Sequence, residues 1–332
     1  MVERGTIQRG VRLLISVAVM MIALKGSTFG LKGLGESKPL SSPEATAVPD
    51  RLRNHVRILS EEIGDRNMFD PKRLERAAAY ITDQLTTLGY GVQVQEYTVG
   101  QQKARNLTVT IPGTTRPEEV LLIGGHYDTC GNPGADDNAS GVAGLLELAR
   151  RVRGFSPART VTFVAFINEE PPFFHTEAMG SRVYARNSRA SGEHIHAAII
   201  LEMIGYYSQR PNSQRYPPLY GLFYPNKGNF IGVVSNLKYG GLAKQVARSF
   251  RQYSQFPIES VAAPEWISGV TWSDHWSFWK EGYPAVFLTD TSFLRNPHYH
   301  QPTDTWETLD YESMAHAING MFGVIKDFAN EP

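Results

Sequence analysis

The sequence predicts an α/β fold: a three-layer sandwich with a mixed, mostly parallel central sheet and helices on both faces. Three observations carry that expectation. Strand-like and helix-like segments alternate from Pro49 onward, as in a sheet whose strands are joined by helical connections. Glu118–Gly124 ends in a continuous apolar run, VLLI, of the kind found in strands buried on both faces. The polar residues best suited to chemistry, in HYD, NEE and LEM, follow such runs directly. Open α/β sheets collect their sites at those strand ends.

The elements follow in order. Pro71–Leu88 places Leu74, Ala77, Ile81 and Leu85 at helical spacing, and Gly89 ends the pattern. Gly91–Val99 and Ala104–Ile111 alternate as strands, and Glu118–Gly124 is the buried strand. Asn138–Arg153 reads as a helix with Val142, Leu145, Leu146, Leu148 and Ala149 on its inner face. Strand Thr160–Ile167, a helix through Met179–Arg186 and strand Ala197–Met203 come next. Phe230–Ser235 is a further strand, Gly241–Tyr253 a helix, Ala285–Thr289 a strand and Tyr311–Phe328 the closing helix. No internal repeat is visible. Tyr206–Asn229 and Gln252–Val270 read as loops lining a cleft, without an inserted lid or apical domain.

At 332 residues the chain is long enough to bury a full core. Lysine plus arginine equals aspartate plus glutamate at 33 each, and no basic or basic-aromatic tract occurs, so nothing points to nucleic acid as a partner. Cys130 is the only cysteine, which excludes an intramolecular disulfide and a cysteine-rich metal site. Its closeness to His126 suggests a ligand or nucleophile, but with no thiolate partner pattern it reads as a small residue beside the site. The N-terminus differs in kind: Arg4, Arg9 and Arg12 precede the apolar run Leu13–Leu24, and Lys25, Gly26 and Ser27 follow. Residues 1–25 have the layout of a secretory signal or an N-terminal membrane anchor. Residues 26–48, with Gly, Ser and Pro throughout, read as a flexible linker. The expectation is an exported protein, periplasmic or extracellular, with membrane contact only through that segment. Nothing in the residues speaks to oligomeric state.

Gly124–Gly141, GGHYDTCGNPGADDNASG, is the segment richest in chemistry. It holds His126, Asp128 and the Asp136-Asp137 pair. Glu169-Glu170 follows VTFVAFIN, Glu202 follows HAAIIL, and His298 and His300 stand in HYHQPTDT. Imidazoles and carboxylates without paired thiolates suit hard or borderline hydrolytic ions, zinc above all. Asp136 competes with Asp137 for one position, and His298 with His300 for another.

In the order HYD, GADDNASG, NEE with MGS, LEMIG, SDHWSFW with GYPA, and HYHQPTDT, these motifs resemble the co-catalytic di-zinc aminopeptidase family. That family includes secreted bacterial leucyl-type aminopeptidases and the protease domain of glutamate carboxypeptidase II. The resemblance covers most of Arg51–Phe328. It implies a zinc aminopeptidase-like (phosphorylase/hydrolase-like) sandwich and a zinc peptidase catalytic domain over 49–332. It also implies two zinc ions per chain and an exopeptidase acting on peptides with a free N-terminus.

Carried over by position, His126 and Glu202 serve one ion and Glu170 and His300 the other. Asp137, directly before Asn138, bridges them. The resemblance further implies Glu169 as general base and Tyr299 as a donor to the developing oxyanion. Asp128 would accept the second N–H of His126, and Asp274 with His275 would support the site from behind. His175, His194 and His196 read as loop or surface histidines, and Glu147 as a solvated helix position.

This chain departs from the family twice. Glu202 stands where aspartate is usual, and Pro171-Pro172-Phe173-Phe174 replaces a short Gly-Leu turn. That insert, Tyr206-Tyr207 and the Trp266–Trp279 region are expected to rim an aromatic pocket for an apolar substrate side chain. Two other classes share the fold: mono-zinc glutaminyl cyclases, and binding relatives that have lost ligands. The complete set of five candidate ligands favours the hydrolase.

Overall fold

The computed structural model describes residues 47–331. The expected signal or anchor, and all but the last two residues of the expected linker, lie outside the described residues. Eight strands form one sheet: β1 (Gln93–Val99), β2 (Gln102–Ile111), β3 (Arg116–His126), β4 (Arg159–Phe166), β5 (His194–Leu201), β6 (Ile231–Asn236), β7 (Ile258–Ala263) and β8 (Ala285–Thr289). Their order is β1-β2-β4-β3-β5-β8-β6-β7. The four central strands β4, β3, β5 and β8 are parallel, and β2 and β6 flank them antiparallel. The parallel direction brings the exits of these four strands to one edge of the sheet. There β3 ends at His126, β4 leads to Glu169-Glu170, β5 leads to Glu202, and β8 leads into the segment carrying His300.

The helices are α1 (Val48–Arg57), α2 (Pro71–Thr87), α3 (Gly141–Arg151), α4 (Gly180–Ser191), α5 (Gly240–Tyr253), α6 (His275–Lys280) and α7 (Tyr311–Asn330). Alternate residues of β3 point to opposite faces, the period-two geometry of a strand. Leu121 and Ile123 pack with residues of α1, α2, α3, α5 and α7, whereas Val120 and Leu122 pack with residues of α4 and α6. The sheet is therefore covered on both sides, the three-layer sandwich the sequence predicts. Two-sided burial also explains the unbroken apolar runs. Each large apolar side chain so buried contributes about 1.5–3 kcal/mol.

Local chemistry sets the helix ends. Asp70 caps α2, its side chain accepting from the Arg73 N–H, with Pro71 in the first turn. Asp310 caps α7 in the same way, accepting from Ser313.

Three expectations need correction. Gln252–Val270 is not all loop, because Ile258–Ala263 pairs parallel with β6 as the edge strand β7. Glu and Ala have weak strand preference, so its IESVAA carries little signal in isolation. The first helix begins at Val48, within the expected linker, and buries Leu52 and Val56 before a wider turn, Ile58–Ile63, buries Leu59 and Ile63. Glu147 is not solvated. It lies fully buried on α3, where its carboxylate receives bidentate pairs from Arg51 of α1 and Arg150. Among the described residues, no helix is long and apolar enough to cross a membrane.

Candidate metal centre

The loop after β3 builds the centre from its own motif. Gly134 has φ 60°, and a Cβ there would lie 2.2 Å from the Thr129 methyl and 2.4 Å from the Asp137 carbonyl. Only glycine fits that position. The turn Ala135–Ser140 follows, and within it Asp137 (φ −105°, ψ 90°) leaves helical geometry, so α3 begins at Gly141 rather than Asn138. Asn138 clips this turn to the end of β5: its Nδ2 donates to the Leu201 carbonyl, and its Oδ1 accepts from Gly141 and Met203. Asp304 accepts the Asp136 and Asp137 N–H groups at 2.9 and 3.1 Å. Beneath the loop, the fully buried Arg66 donates to the carbonyls of Leu59, Gly64, Tyr127, Pro133 and Gly134.

These constraints bring the five predicted ligands together. His126 Nε2 lies 3.3 Å from Asp137 Oδ1 and 3.3 Å from Glu202 Oε2. His300 Nε2 lies 3.1 Å from Asp137 Oδ2 and 3.2 Å from Glu170 Oε2. Asp137 thus presents one oxygen to each imidazole. His126 Nε2, His300 Nε2 and Glu170 Oε1 are buried polar atoms without a hydrogen-bond partner. Buried groups of this kind call for a ligand, and clusters of imidazole and carboxylate donors within 4.8 Å of one another suit a cation such as zinc.

The electrostatics agree. Burial raises Glu170, the Asp137 charge raises it further, and its carboxyl is pushed up to about 8. Burial holds Glu169 well above the usual carboxylate range, and Glu202 is raised for the same reason. Burial alone would lower His126, but the Glu202 and Glu169 charges hold its imidazole high, and burial alone would raise Asp137, but His126 and His300 hold its carboxyl low. So many acids in one buried site repel one another, and cations relieve that repulsion.

The remaining predicted residues divide. Asp128 is buried, but its carboxylate is 3.5 Å from His126 Nδ1, while its backbone carbonyl is nearer at 3.2 Å. The carboxylate instead accepts the N–H groups of Glu169 and Glu170 at 3.2 and 3.1 Å, fixing the segment that carries both. Asp274 is fully buried, and burial pushes its carboxyl up to about 7, with His126 opposing. Tyr299 stacks on His300 with ring centroids 3.9 Å apart.

The rivals separate clearly. Asp136 turns away, accepting from the Gly205 N–H and Asn296 Nδ2, and His298 bonds Thr303 rather than the cluster. His175 stacks between Phe174 and Trp276, and His194 and His196 sit at the opposite end of β5 from Glu202. Cys130 does reach the centre: its sulfur, Glu170 and His300 form a potential metal-holding group. Arg66, Asn138, Asp304 and Ser273, whose hydroxyl donates to Glu202 at 2.7 Å, are supports the sequence reading leaves unassigned. Asn138, Asp304 and Ser273 each stand inside a quoted motif, GADDNASG, HYHQPTDT and SDHWSFW, whereas Arg66 lies outside all of them.

A cavity of about 300 Å³ opens onto the cluster. Pro171 and Phe174 line it as expected, with Trp272 and with Tyr216 and Tyr220 of the expected cleft-lining loop Tyr206–Asn229, and Phe293 joins them from outside the named segments. Tyr206 and Tyr207 do not. Tyr206 meets His298, and Tyr207 packs edge-on against Phe256. Trp266 is exposed on the surface.

The sheet edge and the cluster define a metal-dependent hydrolase. The chain belongs to peptidase family M28, whose profile matches residues 106–325, and it is a peptidase of the zinc aminopeptidase type that the ordered motifs imply. The uncharacterized protein YfbL of Escherichia coli strain K12 is 36% identical over 296 residues, 86% of this chain and 90% of its own. A probable leucine aminopeptidase of Trichophyton verrucosum strain HKI 0517 is 24% identical over 303 residues, 85% of this chain and 74% of its own.

Among solved structures, LapB from Legionella pneumophila matches with a TM-score of 0.66 and 21% identity, over 93% of this chain and 81% of its own. BSAP, a zinc aminopeptidase from Bacillus subtilis, matches at 0.68 and 15%, over 89% and 97%. A glutaminyl cyclase from Fimbriiglobus ruber matches at 0.62 and 19%, over 88% and 97%. At these identities the solved structures share the fold.

Proposed function

We propose that this peptidase is an aminopeptidase holding two zinc ions, and that it removes apolar N-terminal residues from peptides. The observation that carries the reading is the division of Asp137, with one oxygen toward His126 and the other toward His300. On this reading His126, Asp137 and Glu202 hold one ion, and Asp137, Glu170 and His300 the other. When bound, zinc supplies Lewis acidity, polarising the scissile carbonyl and acidifying water beside it.

The chain's own residues do the rest. Glu169 is the carboxylate of the cluster that coordination does not require, with its Oε2 3.9 Å from His126 Nε2. It accepts the proton of the attacking water and returns it to the leaving amine. Asp128 holds Glu169 in register through its backbone N–H. The Tyr299 ring, braced on His300, lines the cavity so that its hydroxyl donates to the developing oxyanion. The substrate's free terminal amine is set toward the cluster. Its first side chain enters the aromatic cavity. The apolar run Leu13–Leu24 behind three arginines supports export, by a cleaved signal or a retained anchor.

Asp137, Glu170 and His300 alone would serve a mono-zinc cyclase, and the fold likeness to a glutaminyl cyclase keeps that second reading in view. The buried His126–Glu202 pair argues for the hydrolase, because it adds a second donor set. Mass spectrometry of a peptide mixture, half of it N-acetylated, tests the choice with zinc-loaded protein. Stepwise loss of apolar N-terminal residues from unblocked peptides alone is expected. Trimming from the other end, or ammonia loss from N-terminal glutamine, would overturn it.

A further inference from the structure

We propose that Cys130 is a fourth protein ligand of the ion held by Asp137, Glu170 and His300, so that the two ions have unlike shells. This rests on the two-ion reading above. The Cys130 sulfur, a Glu170 carboxylate oxygen and a His300 ring nitrogen lie within 4.8 Å of one another. Glu170 is 3% exposed, and its Oε1 has no hydrogen-bond partner. Asp137 Oδ2, 3.1 Å from His300 Nε2, brings a fourth donor to the same place.

The loop is anchored rather than loose. Thr129, immediately before the cysteine, donates its N–H to the Arg66 carbonyl and its hydroxyl to Asp65. A tetrahedral zinc with sulfur at about 2.3 Å and oxygen or nitrogen at about 2.1 Å sets adjacent donors roughly 3.6 Å apart. Coordination would require the short, partly buried Cys130 side chain to turn toward that spacing.

The consequence is an asymmetric centre. Four protein donors close a zinc shell, whereas three leave a position for water or substrate. His126, Asp137 and Glu202 supply three. The closed ion is then the anchoring one, and the open position falls beside Glu169, on the His126 side. On coordination a metal–sulfur bond forms, the S–H bond breaks and its proton leaves to solvent, with no change of oxidation state.

Zinc-edge X-ray absorption on the zinc-loaded full chain tests this. Cys130 is the only cysteine, so a sulfur neighbour at about 2.3 Å comes from no other thiolate. One sulfur per two zinc ions is expected in the wild type and none in Cys130→Ser. Cobalt-substituted wild type should show a near-ultraviolet sulfur-to-cobalt charge-transfer band that the serine variant lacks. The variant should also bind one of its two ions about tenfold more weakly or worse. Two bound zinc ions with only nitrogen and oxygen neighbours in the wild type would overturn the proposal while leaving the two-ion reading standing. Fewer than two bound ions would overturn both. The wild-type spectrum decides the matter even if the variant fails to fold.

Discussion

On the proposed two-ion reading, Asp137 is a shared ligand and Glu169 an unshared base, and substitution separates the two roles. Glu169→Gln keeps the shape of the side chain but cannot take a proton. Its kcat should fall by about 10²–10⁴ with zinc content unchanged, read by steady-state kinetics beside metal analysis. A parallel loss of zinc would instead make Glu169 a ligand. Asp128 acts one step back, through the backbone of Glu169 and Glu170. Asp128→Ala removes the acceptor for both N–H groups, and zinc affinity should drop about 10- to 100-fold. Competition with a chromophoric chelator measures it.

Between elements, two contacts illustrate how the helices are locked to one another. Glu147 ties α3 to α1 through Arg51 while also bonding Arg150. Charged hydrogen bonds of this sort are worth about 1.5–3 kcal/mol each. Partly exposed arginines recover some of that in water, so Glu147→Ala should cost about 2–3 kcal/mol in urea unfolding. The second contact is the crossing of α5 and α7. A Cβ on Gly320 would lie 2.3 Å from the Phe250 ring, and one on Gly323 would lie 2.1 Å from Tyr253. Gly320→Ala should therefore destabilise by about 1–3 kcal/mol despite alanine's better helix propensity. An unchanged unfolding midpoint would mean the helices simply move apart.

At the scale of the molecule, metal and pH act on the whole fold. Zinc binds a centre assembled from the ends of separate strands, so it binds the folded state alone and stabilises it by linkage. At a thousandfold excess over Kd that is about 4 kcal/mol, and chelation should lower Tm by on the order of 10 °C.

His275 gives the pH dependence a sign. It is fully buried, bonded to the Val270 carbonyl and stacked on Phe287, and burial lowers it from 6.5 to about 3. A depressed histidine contributes stability that is fully present above pH 6.5 and is lost as pH falls toward 3. The loss is up to about 1.4 kcal/mol per pH unit. The stability difference between wild type and His275→Gln should shrink from pH 7 to pH 5, measured by denaturant titration at both. A difference independent of pH would show that His275 titrates normally.

Much of this was legible in the residues. Runs such as VTFVAFIN and HAAIIL announce buried strands because both faces are covered, and the family resemblance of the ordered motifs picks out Asp137 over Asp136 and His300 over His298. Other features were not legible, for a common physical reason. Local spacing reveals which face of an element is apolar, but not what another part of the chain brings against its polar positions. Glu147 looked solvated because Arg51, its partner, lies 96 residues away. Cys130 looked incidental because Glu170 and His300 reach it only once β3, β4 and the segment after β8 end at the same edge. Sequence alone determined the buried central strands, the class of chemistry and the imidazole and carboxylate donors. The edge strand β7, the burial of Glu147 and the approach of Cys130 to Glu170 and His300 were decided by tertiary structure, since distances and desolvation exist only after the strands align.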